Sequence, residues 1–222
     1  MGTDDLHKKS KGRHAAILSR KLGTRKPYEK LLIVCEGSKT EPLYFKEVIS
    51  YYKLSTANVV VDNNLITCPL KLFQKAKDIV KEHAKLGTPF DSVYCVFDKD
   101  SHVHYQDALD AISAINQKPQ FYAINSVPCF EYWLLLHFKA TTKPYYRSGK
   151  QSPADTVIAD LKKEIPNYSK AKEGIFLELK DKLEFAINNS EKSRINAINT
   201  GTDNPTTNID HLVKKLINLK NN

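Results

Sequence analysis

A run of five apolar residues, Leu31-Leu32-Ile33-Val34-Cys35, ends directly in Glu36-Gly37. A second run, Val93-Tyr94-Cys95-Val96-Phe97, ends in Asp98-Lys99-Asp100. Short apolar runs without polar alternation are typical of strands that are buried on both faces of a parallel sheet. Because longer amphipathic stretches separate such runs, the pattern indicates βαβ units and predicts an α/β fold.

The same reasoning predicts a mostly parallel four-stranded sheet flanked by helices. The predicted strands are 31–35, 59–61, 93–97 and 121–124. The first predicted helix begins near Thr40, which is its N-cap, and the other predicted helices cover 70–86, 104–115 and 129–138. No strand is predicted after residue 140. Residues 141–167 are rich in Pro, Tyr, Ser and Lys, and helices are predicted at about 174–188 and 208–219. We therefore divide the chain into a basic tail (1–29), an α/β core (30–140) and a helical carboxy-terminal extension (141–222).

The composition excludes several classes of protein. With 222 residues, 41% hydrophobic and 27% charged, the chain suits one packed domain or a core with a small appendage. The longest apolar run, residues 132–138, is too short to cross a bilayer, and no apolar segment follows the charged amino terminus. The four cysteines form no CxxC pair. We expect a reduced, cytoplasmic protein with no membrane segment and no zinc site.

The charge distribution favours a polyanionic partner. The chain carries a formal net charge of +9, and the first thirty residues hold a large share of the excess bases, including Lys8, Lys9, Lys11 and Arg13. Such a segment can bind the phosphate groups of a nucleic acid. A basic terminus can also be a solvated segment that has no specific partner and aids solubility.

Candidate chemistry lies where the first and third predicted strands end, because open α/β sheets bind ligands at the carboxyl ends of their strands. Side chains alternate along an extended chain, so Asp98 and Asp100 project to the same side. If the two strands are neighbours, Glu36 converges on them. Three crowded carboxylates repel one another unless a hard cation neutralises them, and oxygen ligands favour Mg²⁺ or Mn²⁺. Each motif alone is also compatible with an ordinary turn or a helix cap.

The order strand-Glu-Gly and then strand-Asp-x-Asp resembles the Toprim domain of topoisomerases, primases and OLD-type nucleases. Longer strings resemble the RloB/AbiLii family; they cover residues 33–45, 96–100 and 125–138, with a weaker likeness at 168–170 and 205–208. One difference is the stretch Ser101-His102-Val103-His104 after the second aspartate, where many Toprim proteins have a segment ending in glycine.

The resemblance implies a bacterial defence protein, encoded beside restriction or abortive-infection genes and often next to an ABC-type ATPase, that acts as a Toprim nuclease. It implies metal ligation by Asp98 and Asp100, with Glu36 completing the metal site or accepting a proton. Glu131 is a candidate fourth carboxylate, or an acid that stabilises the start of its own helix. The expected partners are nucleic acid and an ABC/AAA-type ATPase, and homo-oligomerisation is left open.

Further residues are candidates for contacts with substrate. Lys39 and Lys99 flank the carboxylates and can hold a phosphate, and the amide of Gly37 faces a helix amino terminus. The family likeness marks Tyr168 and Lys170 as a substrate-contact pair. Other candidates are a histidine pair near the metal and an aromatic and basic loop that can stack on bases, namely His102 and His104, and Tyr145, Tyr146, Arg147 and Lys150.

Three functions fit these features. The first is a Mg²⁺-dependent nuclease that cuts RNA, tRNA being plausible, or DNA during an anti-phage response. The second is a phosphohydrolase of the haloacid-dehalogenase type, in which Asp98 is the nucleophile. The third is a non-catalytic subunit that binds nucleic acid or an ATPase partner and in which the acidic cluster is structural.

Overall fold

The computed structural model describes residues 29–55, 59–62, 68–99 and 103–220. Asp100, His102 and the basic segment 1–28 lie outside these residues. A five-stranded sheet has the order β2-β1-β3-β4-β5, with β1 to β4 parallel and β5 antiparallel to β4. The strands are Leu31–Cys35 (β1), Val59–Asp62 (β2), Ser92–Asp98 (β3), Gln120–Val127 (β4) and Thr206–Thr207 (β5). The predicted α/β class with a mostly parallel sheet is confirmed.

Helices cover both faces of the sheet. In the first part of the chain they are Thr40–Tyr51 (α1), Pro69–Lys85 (α2), Tyr105–Ser113 (α3) and Glu131–Leu135 (α4). In the second part they are Pro153–Glu164 (α5), Ile175–Leu179 (α6), Leu183–Thr200 (α7) and Ile209–Lys220 (α8), with a 3₁₀ turn at Lys180–Lys182. None of the helices in the described part of the chain has the length and apolar character needed to span a bilayer.

The sheet separates two hydrophobic cores, which explains why β1 is apolar throughout. Leu31 and Ile33 point into the larger core, and Leu32 and Val34 point into the smaller one. The smaller core is closed by α2 and α3, and the larger by α1 and the helices of the second half. The hydrophobic effect therefore acts on every position of this strand, and all five of its residues are buried.

The expected four-stranded sheet is wrong by one strand, because β5 lies in the region for which no strand was predicted. It consists of two threonines, too few residues for a recognisable alternation. The strand is held by tertiary contacts instead. Thr207 Oγ1 lies 2.8 Å from Ser126 Oγ, and the guanidinium of Arg194 donates to the Thr207 carbonyl at 2.6 Å.

Helix α5 lies within residues 141–167, where no helix was predicted. Its start has a sequence signal, because the Ser152 side chain accepts a hydrogen bond from the Asp155 backbone N–H and the Asp155 carboxylate accepts one from the Ser152 backbone N–H. Proline at the first helical position fits the same start. The side chains of Val157 and Leu161 enter the core that also holds Leu31. The division of the chain at residue 140 stays a prediction.

Other helix boundaries differ from those predicted. Thr40 is the first residue of α1, and the N-cap position belongs to Lys39. The helix predicted over 129–138 is the short α4, whereas the one predicted over 174–188 becomes α6, a 3₁₀ turn and the 18-residue α7. Helix ends depend on caps and on tertiary packing, which hydrophobic spacing does not report.

Candidate acidic active site

Glu36 and Asp98 meet at the carboxyl ends of neighbouring strands. β1 pairs directly with β3, and the Glu36 amide extends this ladder by donating to the Val96 carbonyl at 2.9 Å. The Glu36 carboxylate then accepts a hydrogen bond from the Asp98 backbone N–H at 3.2 Å. From β1 the chain continues to β2 on one side of β1, and it later returns to β3 on the other side. The strand order therefore reverses at the carboxyl end of β1, and α/β proteins bind ligands at such points.

Two further carboxylates join them. Asp98 accepts a hydrogen bond from the backbone N–H of Phe130, which precedes Glu131 at the start of α4. Burial raises the pKa of Asp98 well above its usual range, and the negative charges of Glu41 and Glu131 raise it further. The four acids Glu36, Glu41, Asp98 and Glu131 are called the acidic cluster below.

Glu41, in the first turn of α1, also has a carboxyl group with a strongly raised pKa. Burial raises its pKa from 4.5 to about 7, and repulsion from Glu131 and Glu36 adds to this shift, while its own backbone amide and Lys170 oppose it. Glu41 was not among the residues predicted for the site. The available signal was a carboxylate in the first helical turn directly after the strand-Glu-Gly motif.

Gly37 allows the turn between β1 and α1 to pass close to Glu41. A Cβ atom at this position would lie only 2.9 Å from Oε1 of Glu41, and even closer to its Oε2. Any larger residue would force the Glu41 carboxylate to move. Glycine at this position therefore permits the observed placement of the Glu41 carboxylate.

Tyr168 and Lys170, the predicted substrate-contact pair, both reach the acidic cluster. The Tyr168 hydroxyl donates to Glu131 Oε1 at 3.1 Å, and the Lys170 ammonium lies 3.9 Å from the same oxygen. The charge of Glu131 raises the pKa of Lys170. The segment is joined to α1 because the Ala171 amide donates to Thr40 Oγ1 at 3.4 Å. Tyr168 is buried, whereas 63% of the Lys170 side chain is exposed, so only the lysine is accessible to a ligand.

The two predicted phosphate-binding lysines lie in different environments. Lys39 is exposed at the start of α1. The Lys99 ammonium is 2.7 Å from an oxygen of Asp203 and 5.6 Å from the centre of the Tyr105 ring. A phosphate role for Lys99 stays a prediction, and it would require the lysine to exchange a carboxylate for the phosphate.

Two other candidates make contacts within the protein. His104 lies 2.8 Å from Asp107 within an exposed pair at the start of α3. Tyr145, one of the rings expected to stack on bases, is 2% exposed, and its hydroxyl donates to Asp160 at 3.2 Å. The expectation that Tyr145 stacks on bases is therefore wrong, because its ring is in the core. Its neighbour Tyr146 is 65% exposed and remains available.

The chemistry of the acidic cluster suits a hard cation, because its side chains offer oxygen donors whose mutual repulsion a cation would relieve. Glu36 and Asp98 are the residues that would hold it. Among the described residues no group of three or more His, Cys, Asp or Glu side chains has the spacing of a complete metal site. The predicted third ligand, Asp100, lies outside those residues, so metal ligation by Glu36, Asp98 and Asp100 stays a prediction.

Comparison with known proteins places the chain in a family. No curated protein and no solved structure matches it significantly. A family model described as RloB-like protein matches residues 31–216, which is most of the chain and includes every residue of the acidic cluster. The chain therefore belongs to the RloB-like protein family.

Proposed function

We propose that this chain is a divalent-cation-dependent nuclease with a Toprim-type core, which cuts RNA or DNA as part of defence against phage. The observation that carries the proposal is the meeting of Glu36 and Asp98 at the strand ends, with Glu41 and Glu131 beside them. Membership of the RloB-like family supports the role in defence. A nucleic acid is the expected polyanionic partner of a chain with a net charge of +9.

The proposed reaction is the hydrolysis of a phosphodiester bond. A bound Mg²⁺ ion would neutralise the non-bridging phosphate oxygens and make a nearby water molecule more acidic. Glu36 is the proposed acceptor of the proton that this water loses, because its carboxylate lies at the end of β1 next to Asp98. Lys170 is the proposed contact for a phosphate oxygen, since most of its side chain is exposed beside Glu131.

Tyr168 has a different proposed role. Its buried hydroxyl holds Glu131 Oε1 through a hydrogen bond, so it orients this carboxylate without contacting the substrate. Glu131 in turn lies at the helix start whose Phe130 amide holds Asp98. Tyr168 is therefore a positioning residue, and Glu131 connects it to the proposed catalytic acids.

To test the proposal, the purified full-length protein is incubated with labelled RNA, single-stranded DNA or duplex DNA, in the presence of MgCl₂ or EDTA, and cleavage is measured. We expect Mg²⁺-dependent cleavage of at least one substrate and its loss in Asp98→Asn, with the fold preserved by circular dichroism. Asp181→Asn is the matched control, because this aspartate is 84% exposed in the 3₁₀ turn. Unchanged cleavage by Asp98→Asn would refute the proposed site.

The substrate class requires an experiment in cells. Wild type and Glu36→Gln would be expressed in parallel, the 5′ ends of RNA sequenced and the chromosomal DNA inspected for breaks. New RNA ends that appear only with wild type identify an RNA substrate, and chromosomal breaks identify DNA. An ABC-type ATPase partner stays an expectation that rests on the family resemblance.

A non-catalytic, nucleic-acid-binding function is the second candidate, and one observation favours it. Carboxylates of the acidic cluster accept hydrogen bonds from the Asp98 and Phe130 amides and from Tyr168, so protein contacts already stabilise part of their charge. Titration with MgCl₂ distinguishes the two candidates. A nuclease site should release or absorb heat and raise the melting temperature, whereas a structural cluster should do neither.

A further inference from the structure

One edge of the sheet has a stretch of strand that no described element pairs with. β5 pairs with β4 only at Ser126 and Val127. The next hydrogen bond along this side of β4 joins the Asn208 amide to the Asn125 carbonyl at 2.9 Å. Among the described residues it is the last backbone hydrogen bond on this side, because the chain then enters α8. Within the described residues, the outer edge of β4 is therefore without a strand partner from Gln120 to Ile124.

The backbone groups on that edge can be identified from the ladder. The Ser126 carbonyl accepts from Lys99 on the β3 side, whereas the Asn125 carbonyl faces the β5 side. Because the direction of the backbone groups alternates along a strand, the N–H and C=O of Ala123 and Phe121 also face the outer side. Together they offer two donors and two acceptors in the spacing that an added strand uses.

A groove of about 590 Å³ lies beside this edge, between β4 and α3. Its floor is apolar, with Leu109, Ile112 and Phe121. Among the residues that the structure describes, its lining also includes two carboxylates, Asp110 and Asp203, and no lysine or arginine. Lys99 is paired with Asp203, whereas in the described part of the chain the contact of the Asp110 carboxylate is a neutral hydrogen bond, from the side-chain amide of Gln106 at 2.9 Å.

We propose that this groove binds an extended segment of a partner protein by strand addition to β4. The segment pairs with the backbone of Phe121 and Ala123, places an apolar side chain over Leu109 and Ile112, and places a lysine or arginine two residues away, next to Asp110. These two side chains share a face because an extended chain repeats every two residues. The acidic lining selects a basic segment and disfavours a nucleic acid strand, whose phosphates Asp110 would repel.

This surface is separate from the acidic cluster and does not depend on nuclease activity. The edge amides of Phe121 and Ala123 lie on the outer side of β4, whereas the acidic cluster lies at the end of β1 and β3. A partner can therefore be recruited by this edge whether or not the proposed function is correct.

The probe is the peptide acetyl-Ser-Val-Ser-Arg-Ser-amide, titrated into the ¹⁵N-labelled full-length protein. We expect saturable shifts of the Phe121 and Ala123 amide resonances and slower hydrogen exchange of these two amides, with Ile124 unchanged. A peptide with glutamate in place of arginine should bind at least about tenfold more weakly. Asp110→Asn should weaken binding of the arginine peptide severalfold.

Asp78→Asn is the matched control, because Asp78 on α2 also accepts a hydrogen bond from a glutamine four residues earlier. The proposal is overturned if the arginine peptide leaves both edge amides unchanged or if the glutamate peptide binds equally well. It is also overturned if a decauridylate probe shifts these amides at lower concentration than the peptide, which would identify a nucleic acid groove. Concentration-dependent dimerisation in sedimentation, with protection of the same amides, would identify a second copy as the occupant.

Discussion

The carboxylate of Glu36 accepts a hydrogen bond from the backbone N–H of Asp98, although 62 positions separate the two residues in the chain. The contact follows from topology, because β1 and β3 are adjacent parallel strands that end at the same edge. Buried carboxylates that lie this close raise the free energy of the folded state at neutral pH.

Glu41→Gln should make the protein more stable at pH 8 than wild type. The folded protein holds the Glu41 proton up to about pH 7, whereas an ordinary glutamate loses it near pH 4.5. Its contribution to stability is therefore complete below pH 4.5 and is lost as the pH rises to about 7. Urea unfolding at pH 5 and pH 8 should show a smaller loss of stability in the variant than in wild type.

The control for Glu41→Gln is Glu82→Gln, which changes an exposed glutamate on α2. We expect this variant to follow the wild-type pH dependence. If Glu41→Gln and Glu82→Gln show the same loss of stability between pH 5 and pH 8, then Glu41 does not carry the charge repulsion assigned to it.

Tyr168→Phe should destabilise the protein by about 1–3 kcal/mol, the usual effect of removing a buried hydrogen bond to a charged group. The variant keeps the ring in the core but leaves Glu131 Oε1 without its 3.1 Å donor. Urea unfolding at pH 7 measures the effect. Tyr146→Phe is the control, because this ring is 65% exposed. Equal stability of the two variants would show that the hydroxyl of Tyr168 does not hold Glu131.

Arg194→Met should destabilise the protein by at most roughly 3–5 kcal/mol, because it removes the bidentate partner of a buried carboxylate and leaves Lys214, 3.1 Å away, as its remaining ion-pair partner. Asp210 is fully buried, and two guanidinium nitrogens of Arg194 donate to its two oxygens at 2.6 and 2.9 Å. The same guanidinium holds the carbonyl of Thr207 in β5. Unfolding of the variant in urea gives the change in free energy.

The double variant Arg194→Met/Asp210→Leu tests the origin of that loss. If the loss of charge compensation at Asp210 is responsible, the double variant should be more stable than Arg194→Met alone. Lys192→Met, on the exposed side of α7, is the control and should remain within about 0.5 kcal/mol of wild type. A double variant that is less stable than Arg194→Met would mean that Asp210 contributes chiefly through its other contacts, with Ser190 and Lys214.

The parts of the fold that the sequence predicted are those fixed by local burial. The four parallel strands were located because each contains a short apolar run, and in β1 and β3 this run is buried on both faces. The approach of Glu36 to Asp98 followed once those two strands were neighbours. The short β5 could not be predicted, because its two threonines are placed by Ser126 and Arg194, which are remote in sequence. Local pattern carries no information about such contacts.

The acidic cluster also depends on contacts that the local sequence does not predict. Glu131 was a candidate from its position in a first helical turn, but its contacts with Tyr168 and Lys170 depend on how the second half of the chain packs. Glu41 was not assigned, because its approach to Glu131 depends on the path of the turn at Gly37. Composition and spacing predict which kinds of ligand atom a site can offer. The tertiary structure determines how many of these side chains lie close together.

The contribution of His137 to stability should fall as the pH falls from about 6.5 to 4, opposite in direction to that of Glu41, because His137 is buried in its neutral form. Its Nδ1–H donates to the Trp133 carbonyl at 3.0 Å, and burial lowers its pKa from 6.5 to about 4. The unfolded chain binds a proton in this window and the folded protein does not, so protonation favours unfolding. His137→Gln removes this contribution, which amounts to roughly 3 kcal/mol at most, so urea unfolding should show that the variant gains stability relative to wild type between pH 7 and pH 4.5. His104→Gln, at an exposed site paired with Asp107, should retain the wild-type slope. If His137→Gln also retains that slope, His137 does not contribute to the pH dependence of stability.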